Sequence, residues 1–131
     1  MQPDAGQTVC VLIPRERVEE DLRPIVLIYR NLGSDSGSAV VTRALSDLGI
    51  ALAALADRMA RHDLDGFAPA LQRVEAMAGA LGFVTLASVC ADLARCLDRG
   101  DATAAAAVWA RLRRVAEHAL GMEACGGDGA R

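Results

Sequence analysis

Between Val41 and Ala119 the apolar residues fall three or four positions apart in four successive runs, each run ending at a break that contains Gly or Asp. That spacing places them on one face of an α-helix, since neighbours on a helix surface are three and four residues apart. The first run is Val41, Leu45, Leu48, Leu52, Leu55 and Met59; the second is Phe67, Leu71, Val74, Ala78 and Leu81. The third is Leu86, Val89, Leu93 and Leu97, and the fourth is Ala105, Val108, Trp109, Leu112, Val115 and Ala119. Aromatic residues make up 3% of a chain that is 53% hydrophobic, so the core is expected to be mainly Leu, Val and Ala, which are good or tolerable helix residues.

Helices are therefore expected over about 38–62, 64–81, 85–99 and 101–120. Ser36 or Ser38, then Asp63 or Asp65, Thr85 and Asp101 stand where N-caps are wanted. Gly82 and the Arg99-Gly100-Asp101 turn close the second and third helices. Ahead of these, Pro14 opens a helical stretch over 15–32, which Pro24 is expected to kink or split, and Gly33 to Gly37 reads as a break. Short connections favour antiparallel neighbours. The fold class expected is all-α, an up-down four-helix bundle, with an additional N-terminal helical segment packed across one end. Residues 1–13 are expected to form a flexible arm, 14–120 the bundle, and the Gly-rich 121–131 a flexible tail.

Composition closes several functions. The net charge is −3, which gives no general attraction for nucleic acid. All 14 basic residues are Arg, so neither a lysine nucleophile nor a P-loop lysine exists. Cys10, Cys90, Cys96 and Cys125 form no CxxC pair, and His62 and His118 are the only imidazoles. No metal site or cofactor is expected from that set. Cys90 and Cys96, in apolar surroundings, read as small hydrophobes; an enzyme built on either is a remote third reading, since no Cys–His pairing is visible. No uninterrupted apolar run has the length of a membrane span, and the start lacks the pattern of a signal peptide. The expected location is the cytoplasm, with no membrane partner.

The order of segments from about Leu45 to Leu120 resembles the histidine-phosphotransfer (Hpt) domains of bacterial phosphorelays. That family shows a long helix and a turn, then a helix carrying His-x-Leu-Lys-Gly. A Leu-Gly step, a Cys-x-x-Leu-Glu helix, a Gly-Asp turn and a last helix follow. Here Arg61-His-Asp63 supplies the first turn, Leu81-Gly82 the step, Cys90-Ala-Asp-Leu93 the next helix and Arg99-Gly-Asp101 the second turn. Ala94 departs from the family's Glu. The Hpt-like part spans about 38–120.

Counted back from Leu81-Gly82, the family's phosphorylated His falls on Gln72, its Lys on Glu75 and its Gly on Ala76, giving Gln72-Arg-Val-Glu-Ala76. A Gln amide does not replace an imidazole nucleophile, and Glu75 would repel a phosphoryl group where Lys would attract it. The resemblance thus implies a non-enzymatic, pseudo-phosphotransfer protein in two-component signalling. Its face of Gln72, Arg73, Glu75, Ala76 and Gly79 would dock a receiver domain or a histidine kinase. Phosphorylation moved to His62 or His118 is a lesser possibility; His118 reads better as a cation near a helix C-terminus. The alternative, from another class, is a structural or oligomerisation module using Val9 to Ile13 and Ile25 to Tyr29 between subunits.

Overall fold

Phe67, Leu71, Val74, Ala78 and Leu81 are all buried, and that stripe sets the rotation of the helix that carries it. The structure, a computed structural model, describes residues 18–128, with side chains as far as residue 121. Among these residues there are four helices and no strand: α1 (Arg23–Ala60), α2 (Phe67–Leu81), α3 (Val84–Asp98) and α4 (Ala102–Asp128). Each packs firmly on the next in chain order, whereas α1 and α4 meet only slightly. The chain is an all-α four-helix bundle, as the periodicity indicated.

The core is built from the expected stripes. Leu48 and Leu55 of α1, Leu86, Val89 and Leu93 of α3, and Leu112 and Val115 of α4 meet the α2 stripe. Cys90 and Cys96 are buried among them as free thiols. Phe67 and Trp109 stack edge to face with ring centroids 5.9 Å apart, an arrangement that adds about 1 kcal/mol to the area the rings bury.

The N-terminal part differs from expectation. Pro24 does not kink a helix already under way: residues 18–22 are not helical, and α1 begins at Arg23 with Pro24 in its first turn, where a missing N–H costs nothing. The break expected over Gly33 to Gly37 shrinks to one residue. Gly33 alone leaves the helix, at φ 85° and ψ 174°, so neither Ser36 nor Ser38 caps anything. This backbone conformation is essentially confined to glycine. Past the corner the two parts of α1 touch, with a Cβ on Gly37 falling 3.1 Å from the Tyr29 Cα. Ile28 then lies by Ala44 and Leu81, so the first part of α1 covers one end of the bundle. The run Ile25 to Tyr29 is divided by this packing: Ile25 and Ile28 are half-buried, while Val26, Leu27 and Tyr29 remain exposed. Val9 to Ile13, the other proposed intersubunit run, and the expected arm over 1–13 lie outside the described residues.

Thr85, expected as a side-chain cap of α3, has a different task. The N-cap of α3 is Phe83, and the Thr85 hydroxyl accepts a hydrogen bond from the Glu19 N–H at 2.7 Å. The Thr85 N–H donates to the Glu19 carbonyl (3.2 Å), and the Asp21 N–H donates to the Gly82 carbonyl (2.7 Å). Residues 19–21 are thus strapped to the α2–α3 turn, and the strap satisfies an N–H that a helix start leaves unpaired. Gly82, the C-cap of α2, sits at φ 86°, and a Cβ there would lie 1.8 Å from the Asp21 carbonyl oxygen.

At the other turns Asp63 accepts from the Gly66 N–H at 3.2 Å and pairs with Arg58 at 2.7 Å, and Asp101 caps α4 by accepting from the Ala104 N–H at 3.1 Å. The backbone of α4 continues helical beyond Leu120 to Asp128, where a flexible tail from Gly121 was expected. Glycine costs about 1 kcal/mol in a helix but does not forbid it, and Met122, Glu123 and Ala124 are adequate or good helix formers. One window of α1 reaches a mean hydropathy of 1.6, enough by length and composition alone to cross a membrane, although 22% of it is buried in the bundle. The count of uninterrupted apolar residues missed it because charged residues interrupt it.

Gly82→Ala is expected to lower the unfolding free energy by at least about 2 kcal/mol, because left-handed strain is joined by a collision with the strap. Gly100→Ala, at φ 68° with nothing near its Cβ, should lose only about 1 kcal/mol from the same strain. Urea unfolding followed by circular dichroism compares them; equal losses would mean that the strap is not seated on the turn.

Candidate functional site

The inner stripe of α2 leaves Gln72, Ala76 and Gly79 on the opposite side, where all three are exposed. They lie at i, i+4 and i+7 and so form a single row along the helix. A Cβ placed on Gly79 would meet no atom within 4 Å, so among the described residues none covers that end of the row. The remaining two residues of the predicted face belong to its flanks. Arg73, exposed, lines the furrow between α1 and α2 beside Asp47, Ile50 and Met77. Glu75, half-buried, leans to the α3 side, where its charge acts on Cys90. The face is therefore a narrow, nearly uncharged row of Gln, Ala and Gly with a cation along one edge and an anion along the other.

Cys90 has a clearly shifted acidity. Burial, and then the Glu75 charge, push it up to about 12. At neutral pH such a group is a thiol, and nucleophilic chemistry belongs to the thiolate. Its place in the core and its acidity both make it inert packing. Among the described residues no three His, Cys, Asp or Glu side chains come together as a metal site would require.

Both imidazoles are exposed. His62 is in the turn after α1 at φ 56°. His118 is not in the last turn of its helix, because α4 runs on to Asp128, about three turns further. The favourable effect of a helix C-terminus fades within the last turn, so that explanation of His118 is withdrawn.

Sequence reading missed one surface. Between α1 and α4 lies an apolar groove of ≈ 520 Å³, with Leu52, Ala53, Trp109 and Leu120 among its walls and Arg113 and Glu117 at its rim. The single-helix periodicities could not show it, since it depends on how far apart two helices stand.

No family model matches this chain, and no curated protein or solved structure matches it either.

In a Cys10→Ser/Cys125→Ser background, Cys90 and Cys96 are expected to resist a thiol reagent at pH 8 and to react fully once the chain is unfolded in urea. Labelling of Cys90 in the folded protein at the rate of a free thiol would contradict its burial.

Proposed function

We propose that this chain is a non-catalytic signalling protein of the cytoplasm that docks a receiver domain, or a related two-component partner, through the outward face of α2. The exposed row of Gln72, Ala76 and Gly79 carries the reading. A partner helix can approach a surface of small side chains closely, and none of the described residues lies over the Gly79 end. The order of helices and turns that resembles phosphotransfer domains supports the choice of partner. The residues at the reactive positions support binding without transfer. An amide at Gln72 holds no phosphoryl group, and a carboxylate at Glu75 raises the cost of bringing one near.

Arg73 and Glu75 flank the row with opposite charges, so a partner must offer a short apolar or small-residue ridge between an acid and a base. Charges at the rim of such a contact chiefly set association rate and salt dependence, while the central row sets the lifetime of the complex. Gln72 and Ala76 are accordingly the positions at which substitution should matter most.

Titration calorimetry against the receiver domains of the same cell is expected to yield at least one complex, weakened tenfold or more by Ala76→Glu and by Gln72→Arg. Both positions are exposed, so thermal unfolding of the two variants should match the parent within a few degrees. Incubation with a phosphorylated receiver should leave no label on the chain. Label that disappears in His62→Ala or in His118→Ala would overturn the non-catalytic reading, and failure to bind any receiver would remove the adaptor role.

A further inference from the structure

We propose that the α1–α4 groove is where a second copy of this chain docks, face to face through a two-fold axis. The three pairs of helices consecutive in the chain close against one another, but α1 and α4 meet only slightly, and the groove between them is apolar. Trp109, Leu52 and Leu120 remain half-exposed there, so apolar area that closure of the seam would hide is left in water.

The rim decides between a second copy and an unrelated partner. The α4 residues on the groove are Trp109, Leu112, Arg113, Ala116, Glu117 and Leu120. That set is symmetric about the point between Arg114 and Val115: Trp109 mirrors Leu120, Leu112 mirrors Glu117, and Arg113 mirrors Ala116. A two-fold axis through that point lays α4 antiparallel to the α4 of the second copy. Arg113 of one copy then comes beside Glu117 of the other, and the symmetry repeats the pair. Contacts of this isologous kind require complementary groups on one and the same surface, and the opposite charges of Arg113 and Glu117 supply them. Both residues are exposed, and neither is engaged in an ion pair among the described residues. Ala53 and Ala56 of α1, small and exposed, leave room for the opposing helix.

The shared length of α1 and α4 along the groove is about 18 Å and two helices are about 20 Å wide, so the footprint falls below the ~800 Å² per partner of a standard interface. The dimer is therefore a weak, reversible one, to be sought at micromolar and higher concentrations. It is independent of the α2 face, which lies on another side of the bundle, and its failure leaves the docking role of Gln72 and Ala76 standing.

Sedimentation equilibrium on the full chain, from about 1 to about 500 µM, covers that range of affinity. The parent should rise from monomer to dimer mass. Arg113→Glu and Glu117→Arg should each weaken association at least tenfold, and the double variant Arg113→Glu/Glu117→Arg should recover it. Thermal unfolding of the variants at low concentration should match the parent, which separates lost association from lost folding. A monomer at every concentration overturns the proposal, as does a double variant no stronger than the single ones. A dimer indifferent to both reversals but lost in Leu27→Glu also overturns it, by moving the contact to the exposed face of residues 22–32.

Discussion

The burial of one side of α2 is the constraint from which the rest follows. Phe67, Leu71, Val74, Ala78 and Leu81 occupy the centre of the core, in contact with residues from every other helix. A helix with five such residues on one stripe cannot turn about its axis without exposing them, and exposing a single Leu or Phe side chain costs about 2 kcal/mol. Rotation is therefore fixed, and the opposite row of Gln72, Ala76 and Gly79 is turned to solvent as a consequence. The same rotation sends Arg73 toward α1 and Glu75 toward α3. The candidate site, in other words, is the part of α2 that the core does not use.

The bundle closes its remaining boundaries in different ways. At one end, backbone hydrogen bonds from Glu19 and Asp21 hold the chain against Gly82 and Thr85, a contact so close that only glycine fits at residue 82. Along the α1–α4 seam no described residue makes a comparable closure, and an apolar groove remains. The first is a boundary satisfied within the chain. The second has apolar walls and two charges of opposite sign, Arg113 and Glu117, that form no ion pair among the described residues.

The inner stripes were legible because helical periodicity is a local property: every residue expected inside α2 is buried, and in α1 and α4 the expected positions are buried or half-buried. Gly82 and Asp101 were legible for the same reason, since a left-handed C-cap and an Asp N-cap are short-range devices. What escaped was non-local. Thr85 looks like a cap in its own neighbourhood, but its hydroxyl is taken by a backbone group 66 positions earlier. The strap also moved the start of α1 to Arg23 and changed the meaning of Pro24. The outward face of α2 could be placed by rotation alone, but its division into a central row with Arg73 and Glu75 as edges depended on which neighbour each flank meets. The α1–α4 groove depends on the separation of two helices, and no single-helix pattern contains that quantity.

Installing the two residues that phosphotransfer would need is the most direct test of the proposed role of α2. In Gln72→His/Glu75→Lys an imidazole and a cation replace the amide and the carboxylate on the same exposed face. Incubated with a phosphorylated receiver that binds the parent chain, this variant is expected to take up acid-labile label that the parent does not. A folded variant that still binds the receiver and yet remains unlabelled would contradict the account.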